Sequence, residues 1–149
     1  MFFEEQKFQG VFLISPNVFY DDRGYFFESF KKNVLKNKLN CEFVQDNEVF
    51  SSKANTIRGL HYQLDCPQAK LIHVVSGSIK DVIVDIRADS SSFGESLMIK
   101  LSHKNHKMLF VPEGFAHGYL VLEKNTIVQY KCSDYYNAST EYGIKWNDS

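Results

Sequence analysis

The chain is poor in cysteine, and its three cysteines are an odd number with no paired spacing (Cys41, Cys66 and Cys132). This count gives no indication of a disulfide framework or of a zinc knuckle. Long hydrophobic runs are also missing, since runs such as residues 82–84 are far shorter than the roughly 20 apolar residues of a membrane helix. The first five residues lack the charged-then-apolar layout of a signal peptide. We therefore expect a cytoplasmic protein without a membrane partner.

An excess of one charge is likewise absent, because 17 Lys and Arg residues face 18 Asp and Glu residues for a net charge of −1. Without a broad basic surface, nucleic acid is not expected as a partner. The 149 residues, of which 44% are hydrophobic, suffice for one core and one domain, which we expect to span 1–149.

Aromatic and β-branched residues are what the chain has in plenty, with 13 Phe and 8 Tyr, and these residue types favour strands. One short helix is indicated from Ser29 onward, where Phe30, Val34 and Leu35 share a face. Residues 76–78 (Ser-Gly-Ser) predict a hairpin. Many short strands with turn signals predict an all-β protein, a jelly-roll β-barrel with one or two short helices. The candidate strands are 10–14, 43–50, 70–76, 78–87, 96–101, 107–111, 117–122 and 126–132.

Polar groups that could carry chemistry interrupt these apolar strands at four places. Residues 56–63 contain Arg58 and His61, and Gly59 could bulge the strand between them. Residues 112–118 form a Pro-x-Gly turn that presents His117 at the start of a strand. Tyr130 ends one apolar run and Lys70 opens another. Each residue alone is more often structural, but together they provide a base, an acid and a cation.

The Pro-x-Gly-x-x-His segment is similar to the second half of the cupin signature. Metal-binding cupins add a His-x-His pair and a carboxylate from the first half. Here His61 stands alone, and Gln63 occupies the position of the second histidine. We therefore predict a metal-free cupin without a cofactor.

The chain resembles the dTDP-4-dehydrorhamnose 3,5-epimerase family of metal-free cupins. The similar stretches follow the family's order from near residue 10 to the end of the chain, and the Arg-Gly-Leu-His-Tyr-Gln block is the most specific. They are residues 22–30, 45–47, 58–63, 69–71, 81–87, 93–94, 112–118, 130–136 and 143–148. The resemblance implies a cupin-type jelly roll acting on a nucleotide-linked 4-keto-6-deoxy sugar in the supply of L-rhamnose for polysaccharides.

The resemblance also implies the roles of single residues. His61 matches the family's base, Tyr130 its proton donor and Lys70 the cation beside the sugar ring. A histidine exchanges protons near neutral pH, which suits such a base. Residues at positions of substrate contact are Arg23, Glu28, Gln45, Asp46, Asn47, Arg58, His117 and Glu141. Family members are dimers that share strands, so a homodimer is expected, with residues 25–27 at its interface or stacked on the nucleotide base.

The family usually continues beyond residues 146–148, and that tail carries the aspartate that orients the catalytic histidine. This sequence ends at Ser149. A shortened chain, a naturally short member using another carboxylate and an impaired enzyme are the three explanations. Asp81 and Asp85 share one face of a predicted strand and are the candidate substitutes.

Other functions remain open at the level of the sequence. One alternative is epimerisation at C3 alone, or action on another nucleotide-linked 4-keto sugar. A second is a cupin that binds a sugar nucleotide without catalysis. A metal-dependent cupin is disfavoured by the number of ligands.

Overall fold

Residues 1–148, the part of the chain that the computed structural model describes, form thirteen strands, one α-helix and one 3₁₀ helix. The all-β prediction is confirmed. The strands are β1 Phe2–Glu5, β2 Phe12–Ser15, β3 Phe19–Asp21, β4 Gly24–Phe26, β5 Gln45–Ser51, β6 Ile57–Gln63, β7 Lys70–Ser76, β8 Ser78–Asp85, β9 Ser96–Ser102, β10 Met108–Val111, β11 Phe115–Val121, β12 Thr126–Cys132 and β13 Glu141–Gly143. The helices are α1 Lys32–Leu39 and the 3₁₀ helix Ala138–Thr140.

Two antiparallel sheets and a separate hairpin contain all these strands. The first sheet has six strands in the order β1-β2-β10-β7-β12-β5, and the second has five in the order β13-β6-β11-β8-β9. Strands β3 and β4 pair only with each other. Because most neighbours in each sheet are distant along the chain, the exceptions being β1–β2 and β8–β9, the arrangement is a jelly roll, as predicted, formed here by two facing sheets.

The main core fills the space between the two sheets. Alternation along each strand sends every second side chain inward, and the inner positions are apolar along most strands. Buried members include Ile72 and Val74 from the first sheet and Ile79, Ile83 and Val121 from the second. The inner positions that are polar therefore stand out, and several of them collect at one end of the sandwich.

The helix α1 begins at Lys32, three residues after the predicted start at Ser29. Phe30 lies before the helix and packs edge-on against Phe43, with ring centroids 6.2 Å apart. Leu35 is fully buried with Leu71 on the outer face of the first sheet. The apolar spacing was thus a correct sign of a helix, but Phe30, which shares that spacing, packs against Phe43 before the helix begins.

The predicted hairpin at residues 76–78 was wrong. Strand β7 belongs to the first sheet and β8 to the second, so the chain crosses between sheets at Gly77. Gly77 has a φ of +78°, and Thr126 lies so close that a side chain at this position would clash with it. A glycine-containing turn signal is the same for a hairpin and for such a corner, which is why the local sequence did not distinguish them.

Candidate active site

Strand β6 carries an extra residue opposite β11, and this irregularity brings Arg58 and His61 to the same cavity. His117 lies opposite His61, whereas Tyr119 lies opposite Arg58, so three residue steps on β6 face two on β11. Gly59 and Gly118 permit the close approach, since a Cβ on Gly118 would stand 2.5 Å from the carbonyl oxygen of Arg58. The predicted effect of Gly59 on the strand is confirmed.

A cavity of about 370 Å³ lies beside this irregularity, within the range typical of ligand pockets. Both sheets contribute to its wall. Eight of the residues singled out from the sequence line it, namely Gln45, Asn47, Arg58, His61, Lys70, His117, Tyr130 and Glu141. The sequence analysis missed four further lining side chains, Val49, Gln68, Tyr119 and Tyr136.

The first sheet supplies an ammonium and a phenol to the cavity. Lys70 lies opposite Cys132, and Tyr130 lies opposite both Ile72 on β7 and Asn47 on β5. Burial lowers the pKa of Lys70 below its ordinary value, against the opposing effect of negative neighbours. Burial raises the pKa of Tyr130, so the phenol keeps its proton at physiological pH. This wall therefore holds one cation and one neutral proton donor.

The second sheet supplies two histidines with different surroundings. His117 is 8% exposed, and its Nε2 lies 3.0 Å from both carboxylate oxygens of the buried Asp81. His61 is more than half exposed, and its Nδ1 lies 3.8 Å from Oε1 of Glu141. His117 is therefore fixed in place, while His61 is accessible to a ligand and to solvent.

Neither Asp81 nor Asp85 supports His61, which corrects the expectation from the sequence. Both oxygens of Asp81 are bonded to His117. Asp85 accepts hydrogen bonds from Arg87, Ser90 and Ser92, which hold the pKa of its carboxyl far below the ordinary range. The prediction that Asp81 and Asp85 share one face of β8 was correct. Residues on one face of a strand nevertheless have different cross-strand neighbours, and neither of these two lies beside His61. Within residues 1–148, Glu141 is the carboxylate in ion-pair range of His61.

A strip of chain from Tyr136 to Glu141 closes one side of the cavity. Tyr136 donates its hydroxyl proton to Oε2 of Glu141 over 3.0 Å, and its backbone N–H donates to Oε1 of Gln45. Gln45 in turn donates to Asn47, whose amide donates to Sγ of Cys132 over 3.6 Å. These contacts tie the strip to the first sheet and hold the carboxylate of Glu141 toward His61.

Gln63 ties the same strip to the second sheet. Its side-chain amide donates to the carbonyl oxygen of Cys66 over 2.8 Å and accepts from the backbone N–H of Asn137 over 2.8 Å. The residue that stands where metal cupins have a second histidine is thus 8% exposed and occupied by backbone contacts. Within residues 1–148, no three His, Cys, Asp or Glu side chains are grouped as metal ligands would be.

Three other residues singled out from the sequence lie away from this cavity in the single chain. Arg23 is on the exposed β3–β4 hairpin and binds Asp21 at 2.6 Å. Glu28 pairs with Lys31 at 2.9 Å. Asp46 points to the outer face of β5, where Lys131 donates to it over 2.7 Å, whereas its neighbours Gln45 and Asn47 point inward. Alternation along β5 makes this separation unavoidable.

None of the helices in residues 1–148 is long and apolar enough to cross a membrane.

Sequence and structure comparisons agree with each other. The sequence model of a family described as dTDP-4-dehydrorhamnose 3,5-epimerase matches residues 5–149. A dTDP-4-dehydrorhamnose 3,5-epimerase of Methanothermobacter thermautotrophicus is 44% identical over 147 residues, which cover 98% of this chain and 79% of the relative. The aligned region includes nearly all of the sequence described above.

Two solved structures share the fold closely. The dTDP-4-dehydrorhamnose 3,5-epimerase of Bacillus anthracis, with TDP and PPi bound, has a TM-score of 0.93 and 48% identity, covering 97% of this chain and 83% of that one. The dTDP-6-deoxy-D-glucose-3,5-epimerase of Legionella pneumophila, in complex with dTDP-4-keto-L-rhamnose, has a TM-score of 0.94 and 38% identity, covering 98% and 78%. These similarities confirm the cupin-type fold that was predicted.

The anchoring role of Gln63 yields a prediction about stability. Gln63→Glu keeps the size of the side chain but replaces the amide donor with an oxygen facing the carbonyl oxygen of Cys66. We expect the variant to lose about 3 kcal/mol of unfolding free energy in urea titration, because a buried donor is lost and a charge is buried. The exposed substitution Gln9→Glu is the control and should change it by less than about 0.5 kcal/mol. Equal stability of both variants would contradict the role assigned to Gln63.

Proposed function

Since the chain belongs to the dTDP-4-dehydrorhamnose 3,5-epimerase family, we propose that it converts dTDP-4-dehydro-6-deoxy-D-glucose to dTDP-4-dehydro-L-rhamnose by inverting C3 and C5. One observation carries the proposal at the level of the site. His61 and the pair Lys70 and Tyr130 stand on the inner faces of two different sheets and line one cavity. An inversion needs a base and an acid on opposite sides of a ring, and two facing sheets supply them.

The 4-ketone of the sugar makes both inversions chemically accessible. His61 removes the proton from C3 or C5, and the electron pair of that C–H bond moves into an enolate with its charge on the 4-oxygen. Tyr130 then gives its hydroxyl proton to the same carbon from the other face, which restores the ketone. His61 has gained a proton and Tyr130 has lost one, so exchange with solvent resets both groups before the next inversion.

The charge of the enolate calls for a cation near the 4-oxygen. Lys70 meets this need because it lines the same wall as Tyr130 and is largely enclosed by protein, where an ammonium acts more strongly than in water. The guanidinium of Arg58 suits a phosphate oxygen, and in the structure it donates to Oγ of Ser51 and to the carbonyl oxygen of Phe50. Because Arg58 and Lys70 line the same cavity, their charges support a diphosphate near Arg58 and the ketone near Lys70.

His117 and Glu141 support the reaction without carrying a proton to carbon. The carboxylate of Asp81 holds His117 in one orientation, in which the ring faces the cavity as a fixed polar contact for the sugar. Glu141 stabilises the positive charge that His61 acquires when it takes the proton, because its Oε1 lies 3.8 Å from Nδ1. We propose Glu141 as the carboxylate partner of His61 in this chain.

We expect proton exchange to report the reaction directly. In D₂O the chain should place deuterium at both C3 and C5 of the dTDP-4-keto sugar, read by mass spectrometry and NMR. His61→Asn should lower the rate about 10²- to 10⁴-fold, since a positioned base is lost. His103→Asn is the control, because His103 bonds to Gly77 outside the cavity. Deuterium at C3 alone would indicate a C3 epimerase, and binding without exchange would indicate a sugar-nucleotide-binding protein; both would contradict the proposed reaction.

The lowered pKa of Lys70 predicts the alkaline side of the pH profile. Activity needs the charged ammonium, so kcat/KM should fall at a pH below the 10.5 of an ordinary lysine. Burial shifts the pKa of Tyr130 in the opposite direction, upward, so the phenol keeps its proton at physiological pH. Lys70→Arg keeps a charge at all these pH values and should remove the alkaline decline, at a lower rate. Lys70→Met should lower kcat/KM about 10²- to 10³-fold, and an unchanged alkaline limb in Lys70→Arg would contradict this assignment.

We propose further that the active form is a homodimer in which the β3–β4 hairpin of one subunit completes the cavity of the other. Arg23 lies on this hairpin, which pairs with no other strand, and the aromatic residues Phe19, Tyr20 and Phe26 on it are more than 60% exposed. Exposed aromatic clusters of this kind are typical of interfaces. Arg23 lies away from the cavity of its own subunit, so it can contact a bound nucleotide sugar only in the cavity of a second subunit.

Mixing of inactive variants tests the shared site. Arg23→Ala and His61→Ala proteins should each be nearly inactive, and their mixture after subunit exchange should regain up to about a quarter of the parent activity, because half of the dimers then carry one intact site. The matched control mixes His61→Ala with Tyr130→Phe, whose defects lie in the same subunit's cavity wall. In a mixed dimer of these two variants, each cavity contains one of the two defects, because His61 and Tyr130 of one cavity come from the same subunit. This mixture should therefore stay inactive. Failure of the first mixture to recover would contradict a contribution of Arg23 across the interface.

A further inference from the structure

Tyr119 presents an unusual combination of burial and missing contacts. The residue is 6% exposed, yet its hydroxyl is the one buried side-chain nitrogen or oxygen in residues 1–148 that has no hydrogen-bond partner. Buried hydroxyls are nearly always bonded, because an unpaired one has lost its contacts with water without replacement. The exception lies in the wall of the cavity that holds His61, Lys70 and Tyr130.

The position of Tyr119 in the sheet explains why no protein group satisfies its hydroxyl. Arg58 on β6 and Asp81 on β8 are its cross-strand neighbours. The guanidinium of Arg58 donates to Ser51 and Phe50, and both oxygens of Asp81 contact His117. The polar groups on either side of Tyr119 are therefore engaged elsewhere.

Burial also fixes the chemical state of this phenol. It raises the pKa of Tyr119 to about 12, with Arg58 acting in the opposite direction. The hydroxyl is thus neutral at every physiological pH and can donate one hydrogen bond. A suitable acceptor is a phosphate oxygen or a sugar oxygen, since each has a lone pair that accepts a hydrogen bond.

We propose that the Tyr119 hydroxyl is a binding contact for the nucleotide sugar, donating a hydrogen bond to a ligand oxygen between the groups held by Arg58 and by Tyr130. This inference rests on the proposed function, since it takes the ligand of the cavity to be a dTDP-sugar. Because the hydroxyl oxygen is shielded from solvent in the unliganded chain, the proposed bond requires a side chain of the cavity wall to move when the ligand binds. The residue contributes to affinity, and it moves no proton to or from carbon.

The experiment compares the parent with Tyr119→Phe, which removes only the hydroxyl. The matched control is Tyr142→Phe on the exposed strand β13. Calorimetry measures the binding of dTDP and of dTDP-glucose, which has no ketone and cannot form the enolate. Thermal unfolding without added ligand measures the stability of each protein, and steady-state kinetics with the dTDP-4-keto sugar separates KM from kcat.

We expect Tyr119→Phe to bind dTDP-glucose about 3- to 10-fold more weakly, as for loss of one hydrogen bond. Its KM should rise by a similar factor with kcat nearly unchanged, and its unfolding temperature without ligand should equal or exceed that of the parent. If dTDP also binds more weakly, the acceptor is a phosphate or nucleoside oxygen. If only dTDP-glucose binds more weakly, the acceptor is a sugar oxygen. Tyr142→Phe should match the parent throughout.

Two results would overturn the inference. One is unchanged affinity of Tyr119→Phe for both ligands. The other is a lower unfolding temperature without ligand, which would mean that the hydroxyl has a partner within the protein. Failure of the proposed reaction looks different, because a parent that binds dTDP-glucose but exchanges no deuterium into the keto sugar still allows the Tyr119 contact to be measured by binding.

Discussion

The close approach of β6 and β11 at Gly59 and Gly118 is the constraint on which the candidate site depends. In a regular strand Arg58 and His61 would point to opposite faces, because they are three residues apart. The extra residue in β6 reverses this and turns both side chains into the same cavity. A Cβ on either glycine would collide with the backbone of the other strand. The two glycines, which carry no side chain, thus permit the strand geometry that places Arg58 and His61 in one cavity.

Around this point the protein separates groups that are held in fixed positions from the groups that we propose take part in the reaction. His117 and Asp81 are buried and bonded to each other, and a buried charge that is fully paired is costly to disturb. Within residues 1–148, the carboxylate nearest to His61 in ion-pair range is that of Glu141 at 3.8 Å, and Tyr130 and Lys70 have shifted pKa values but take part in no salt bridge. His117 lines the same cavity as His61, Lys70 and Tyr130, so we propose that it holds the sugar in place while those three residues act on its protons and charge.

Much of the fold could be read from the sequence because alternation and turn residues are local signals. They predicted β5, β7 to β12 and the helix, but not the short strand β13 and not the sheet to which β8 belongs, since Gly77 permits a hairpin or a corner equally well. Eight of the eleven predicted site residues line one cavity, and they were found through motif resemblance. The partners Asp81 for His117 and Glu141 for His61 are contacts across strands that no spacing encodes. Tyr119 escaped notice because an aromatic residue on an apolar strand looks like any core residue until its hydroxyl proves unpaired.

The division of the cavity between two sheets has a further consequence for how this protein responds to change elsewhere. In the described residues β6 and β12 belong to different sheets, so the spacing between imidazole and phenol depends mainly on the apolar core between the layers, with side-chain contacts such as that of Arg58 with Phe50 at the edge. Removing a methyl group from Ile79 or Val121 would then change the distance between the two sheets. We expect turnover to change as a result, although neither side chain contacts the reacting atoms. In such an architecture, core substitutions that change the spacing of the two sheets can tune the catalytic rate during evolution.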